Sequence, residues 1–195
     1  MNYDKLIKEK YNRIRNYSRF RLGFQQLIAK KYLNIFTFFI ILLFHPCWNI
    51  AEFIILKLDV EEVLFPLFSY SLHIMAIIFP CIILSYFIYI IGEKRARKDE
   101  IALIIAFRRE KVFHEPPILL SKYKDKKTGT IVREFYSNLA INIWQKRAED
   151  IADALDSQFV EEKITYGGKN RNNGKRITLY TIKNKKTKGD RNLYE

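Results

Sequence analysis

Two stretches without a formally charged side chain decide what this chain can fold into. One runs through 33–51, 19 residues, and the other through 63–92, 30 residues. A bilayer core about 30 Å thick is crossed by roughly 20 apolar residues in a helix. A soluble fold would have to bury both NIFTFFIILLF and IIFPCIILSYFIYII in a chain whose remainder is densely charged. The sequence therefore predicts a membrane α-helical hairpin of two transmembrane helices over 33–92. Thirty-two mostly polar residues precede the first run and no A-x-A follows it, which excludes the pattern of a cleaved secretory signal.

Charge sets the expected orientation. Residues 1–32 carry nine Lys/Arg against Asp4 and Glu9, and EKRARK follows the second run. The connection carries Lys57 against Asp59, Glu61 and Glu62. Because Lys and Arg stay on the side that is not translocated, both termini are expected in the cytoplasm of a multi-pass plasma-membrane protein. A net charge of +13 beside a membrane suits anionic lipid or nucleic acid, and charge alone does not separate them. Cys47 and Cys81 both fall within the apolar runs and imply neither a disulfide framework nor a zinc site. His45 and His73 are expected to cap proline-interrupted helices rather than to serve as functional groups, and His114 stands alone.

The flanking segments read as follows. Residues 1–32 form a basic N-terminal segment in which Leu6, Ile7, Ile14, Phe20, Leu22, Phe24, Leu27 and Ile28 are spaced among cations, as in an interfacial helix, with a frayed tail as the alternative. Pro46 and Pro80 are expected kinks and Pro66 a helix start. Residues 93–115 predict a connector helix with an apolar stripe at Ile101, Ile104, Ile105 and Val112, ended by Pro116-Pro117. Over 116–183 a small cytoplasmic α+β domain is expected. Its strands are 118–123, 130–136, 160–166 and 176–182, and Ser137 or Asn138 caps one helix carrying Trp144, Ala148, Ile151 and Leu155. The order is ββαββ. Residues 184–195 form a polar tail.

No catalytic constellation is present. Glu149, Asp150, Asp153 and Asp156 lie opposite the Trp144 stripe and read as a solvated face, and no metal or cofactor is expected. The glycines of GGKNRNNGKR have the wrong spacing for a phosphate loop, with Arg176 at the hydroxyl position and a strand where a helix should follow. The segment is read as a hairpin tip. Lys169, Arg171, Lys175 and Arg176 are its candidate phosphate-backbone contacts.

GTIVREFYS (129–137), DIADALDSQFVEEKITY (150–166), the 167–174 hairpin and RITLYTI (176–182) follow one another in an order that resembles the alpha subdomain of FtsK/SpoIIIE-type DNA translocases. Together with a two-helix anchor, the layout looks most like the coupling ATPases of Gram-positive conjugative elements. That resemblance covers roughly 93–195 and implies a hexameric assembly that handles DNA beside conjugation-channel proteins. The Walker A and B motor core of that family does not occur in these 195 residues. The chain is accordingly expected to be the N-terminal portion of a longer motor or an accessory, non-catalytic by itself. A stand-alone membrane adaptor, binding a protein partner or anionic lipid through its basic domain, is the rival reading.

Overall fold

The computed structural model describes residues 3–57, 64–108, 115–168 and 173–183. Its elements are α1 (Tyr3–Ala29), α2 (Lys31–Leu42), α3 (Phe44–Lys57), α4 (Phe65–Ala106), β1 (Ile118–Lys124), β2 (Ile131–Tyr136), α5 (Ile141–Lys146), α6 (Ala148–Ala154), β3 (Ser157–Gly167) and β4 (Asn173–Lys183). The fold is mixed, long helices beside one antiparallel sheet in the order β1-β2-β4-β3.

Two helical stretches, Leu33–Lys57 and Phe65–Ala106, are long and apolar enough to cross a membrane. Only 11% and 17% of their most apolar windows is buried, so the chain itself offers these residues almost no cover. The first stretch breaks at Leu43, between α2 and α3. Pro46 explains the position: its ring crowds the carbonyl four residues back, so the disruption falls N-terminal to the proline. Pro80, by contrast, sits inside an uninterrupted α4, and Pro66 lies in that helix's first turn, where its missing N–H costs nothing. The two stretches meet through small or compact groups, with Ala51 and Ile55 of α3 and Ala76 and Pro80 of α4 buried. Trp48 also stacks on His73, ring centroids 4.4 Å apart.

α4 does not end where its apolar run ends. The second span and the expected connector are one helix of 42 residues. Ile101, Ile104 and Ile105 face outward, which corrects the expected stripe; Val112 lies outside the described residues. The buried face is instead Ala96, Asp99, Ala102, Leu103 and Ala106. Alanines admit close approach of other backbones, and α4 is crossed there by both α1 and the sheet domain, so the bulky isoleucines are turned away.

α1 crosses the C-terminal half of α4 and packs on it and on β1 instead of standing apart. Of its apolar residues only Leu22 and Leu27 are buried. Two glycines set the crossing. A Cβ on Gly92 would lie 1.8 Å from the Arg19 carbonyl oxygen, and one on Gly23 would lie 2.1 Å from that of Ile88. No side chain fits between these backbones.

In the α+β unit, Leu119, Phe135, Ile164, Ile177 and Leu179 form the inner face of the sheet against Leu103, Phe107, Trp144 and Ile151. Trp144 is fully buried, edge-on to Phe107 at 4.9 Å. The expected single helix is two short ones broken at Arg147, and Ser137 accepts a hydrogen bond from Leu139 N at 3.0 Å without capping α5, which starts at Ile141 after Ala140. Trp144 and Ile151 are both fully buried on either side of the break. Strands β3 and β4 extend to 157–167 and 173–183, with an irregularity between Phe159 and Ile164. Gly129, at φ 73°, closes the β1–β2 turn in a backbone conformation that favours glycine.

Replacing Gly92 by leucine forces α1 off α4. Overpacking of this kind costs about 1–3 kcal/mol, and thermal unfolding of the detergent-solubilised chain should show a lowered midpoint, whereas Gly174→Ala, where a Cβ meets open space, should leave it unchanged.

Candidate functional site

Where α1, α4 and the sheet converge, the core is polar. Arg19 is fully buried. Its Nε donates to Glu93 at 2.5 Å, and its Nη1 and Nη2 donate to the two oxygens of Glu100 at 2.8 and 2.6 Å. The planar guanidinium matches the carboxylate with two parallel bonds, the strongest form of such a pair. Glu100 Oε1 also accepts from Leu119 N at 2.8 Å, which ties the same carboxylate to the first strand. One carboxylate thus holds two helices and a sheet edge. Arg15 adds a weaker contact to Glu93 at 3.3 Å. Burial alone would lower the Arg19 pKa, but the hydrogen bonds and charge of Glu100, then Glu93, outweigh it and hold the group above its usual value.

The residue before Glu100, Asp99, makes the second half of the bridge. It is 2% exposed and accepts from Lys122 Nζ at 2.6 Å and from Arg133 Nε at 3.3 Å. Lys122 and Arg133 are cross-strand partners on the inner face of β1 and β2. Arg133 reaches further, donating to the Thr181 hydroxyl, which donates in turn to Ile131 O at 3.3 Å. Burial pushes the Lys122 ammonium down, opposed by Asp99, and burial likewise lowers Arg95. Arg95 lies within 2.7 Å of the Gln26 amide oxygen in the amide orientation that satisfies both groups. Three cations surround Asp99, so its charge is indispensable to the packing of the sheet on α4.

The hairpin residues fall elsewhere. Lys169 and Arg171 lie outside the described residues. Lys175 and Arg176 are neighbours on β4 and so point to opposite faces. Lys175 Nζ donates to Asn138 Oδ1 at 2.9 Å. Arg176 stands 3.5 Å from Glu134, whose Oε1 also accepts from Gly168 N at 3.1 Å. Glu134, which the sequence did not single out, therefore moderates the charge at the base of the hairpin. The register places this tip at the opposite end of the sheet from the β1–β2 turn with Lys126 and Lys127. Glu149, Asp150, Asp153 and Asp156 are exposed, and no cluster able to hold a metal ion occurs among the described residues.

No protein-family model and no curated protein matches the chain. Among solved structures it is similar to the pCW3 conjugation coupling protein TcpA, in its monomer form with ATPγS, at 19% identity and a TM-score of 0.36. The match takes in 44% of this chain and 23% of that protein, less than a quarter of its length. A likeness this weak carries no inference about activity.

Arg19→Leu would leave Glu93 and Glu100 without their buried counter-ion. Breaking a buried pair from one side costs about 3–5 kcal/mol, which denaturant unfolding should register, with part recovered in Arg19→Leu/Glu100→Gln. Tyr11 gives a separate pH test. Its hydroxyl donates to Pro116 O at 2.9 Å, joining α1 to the start of β1, and burial, with Glu100 next, raises its pKa to about 12. The folded state keeps this proton when the unfolded chain, near 10, has lost it. The contribution is full below pH 10 and lost as pH rises through 12. Unfolding measured across that window should be less steep in Tyr11→Phe.

Proposed function

We propose that this chain is the membrane-anchoring and oligomerisation module of an FtsK-like DNA translocase, a coupling protein of conjugative DNA transfer, with both termini and the α+β domain in the cytoplasm. The observation that carries the reading is the continuity of α4. The helix leaves an uncovered apolar stretch and enters the core of the α+β domain without a break. The Arg19–Glu93–Glu100 and Asp99–Lys122–Arg133 bridges then fix the domain against it. An anchor that must resist a motor pulling on DNA needs this stiffness, whereas a passive tether does not.

Further support comes from the order of motifs through 129–182 and from the basic balance of the chain. The ATPase chemistry of such a system belongs to a motor core that these residues do not contain; the part assigned to them is attachment, assembly and contact with the DNA backbone through the β3–β4 hairpin. The adaptor reading makes no demand for nucleic acid.

The full chain in lipid nanodiscs should bind a labelled duplex with an affinity that falls steeply with salt. Lys175→Ala and Arg176→Ala should each weaken binding about equally across sequences and reduce the log–log salt slope by about one. No binding at low salt, or an unchanged slope, favours the adaptor. Topology is tested in intact cells: with Cys47 and Cys81 replaced by serine, Lys57→Cys should react with a membrane-impermeant maleimide added outside.

A further inference from the structure

Beyond the charge bridge, α1 and α4 diverge around a groove of about 590 Å³. Its walls are Asn16 and Phe20 of α1 and, on α4, Ile78, Ile82, Tyr86 and Tyr89 with their neighbours. It has a direction. From Ile77 to Tyr89 it follows α4 for about 18 Å at 1.5 Å per residue, apolar at the Ile77 end and polar at the other, where Tyr89 OH lies 3.5 Å from Asn16 Oδ1. Phe20 meets Tyr89 edge-on at 5.8 Å and closes the polar end from α1.

The outward face of α1 adds a second observation. Leu6, Tyr17, Phe24 and Ile28 recur at helical spacing and are exposed, Tyr17 at 71% and Ile28 at 83%. Arg13 and Arg21 stand among them, exposed and with no ion-pair partner among the described residues. From Lys10 to Ala29 the helix contains no acidic residue. The face opposite is the one clamped to α4 by Arg19, Leu22 and Gly23. Aromatic and aliphatic side chains interleaved with unpaired arginines are the composition of a helix seated at an anionic lipid interface.

We propose that the groove is a phospholipid site: one acyl chain lies along Ile77–Ile82 of α4, and the headgroup phosphate of an anionic lipid is held at the Asn16–Tyr89 end within reach of Arg13, with Arg21 engaging the same leaflet. The proposal rests on the membrane reading of α4 and adds to it a specific occupant. The polarity gradient matches that of a lipid entering from the interface, and the cations on α1 are complementary to an anionic headgroup. The bound lipid fills the space beside the glycine crossing, on the side away from the Arg19 ion pairs.

The test uses the full chain reconstituted in nanodiscs of phosphatidylcholine with and without phosphatidylglycerol, then released for native mass spectrometry. Wild type should retain one phosphatidylglycerol per chain. Cys81→Trp, which fills the groove from its exposed wall, should lose it. Arg13→Gln/Arg21→Gln, which leaves the groove open, should lower the preference for phosphatidylglycerol over phosphatidylcholine roughly thirtyfold. Resistance of each variant to alkaline carbonate separates the two levels of the argument. Extraction of wild type from the membrane overturns both the span and the site. Carbonate-resistant chains with unchanged lipid retention in both variants overturn the site alone, and so does efficient Cys81–Cys81 cross-linking in membranes, which would mean that a second copy covers the groove.

Discussion

Everything on the α+β side of the molecule hangs from the crossing of α1 over α4, and that crossing exists because Gly23 and Gly92 let two backbones touch while Arg19 supplies the charge that holds them there. The two requirements are linked. The carbonyl of Arg19 is the atom that a Cβ on Gly92 would strike, so the residue making the ion pairs is also the residue at closest approach. A buried guanidinium is costly to desolvate, and only the bidentate geometry with Glu100 plus the Glu93 contact offsets that cost. The arrangement is therefore demanding of position, since the paired bonds from Arg19 to Glu100 require both distance and orientation.

The second bridge, at Asp99, differs in kind. There a single buried carboxylate answers two cations from adjacent strands, with Arg95 nearby. Hydrophobic burial presses the sheet onto α4 without choosing a direction, since Leu103, Phe107 and Trp144 could slide over one another. Asp99 and Glu100 are consecutive residues, one reaching toward Lys122 and Arg133 and the other toward Arg19 and the Leu119 amide. They fix register and rotation together. Specificity of docking comes from these polar contacts, and affinity from the apolar ones around them.

Much of the local structure was legible in the amino-acid sequence because it is written in short-range pattern. The two charge-free runs announce long apolar helices, and the alternation in TIVREFY and RITLYTI announces strands that the structure pairs with each other, Val132 opposite Tyr180. What escaped was non-local. Arg19 sits in a run of cations with nothing nearby to mark it, and its partner Glu100 is 81 residues away. The outward turn of Ile101, Ile104 and Ile105 was missed because hydrophobicity was taken to mean burial, whereas the closeness of three elements at this point selects alanine. The break at Arg147 likewise leaves no mark in the helical period, because Trp144, Ala148 and Ile151 keep their spacing across it. Of the four hairpin cations, adjacency in sequence suggested one patch; strand geometry sends Lys175 and Arg176 apart, and Glu134 intervenes on one side.

A helix of 42 residues is about 63 Å long at 1.5 Å per residue. No break interrupts it along its length. A tilt of about 5° at one end, well inside the range found for membrane helices, sweeps the far end by about 5 Å. On the membrane reading proposed above, a shift imposed at Phe65 is carried along the helix to Leu103 and Phe107, and so to the Trp144 packed against them.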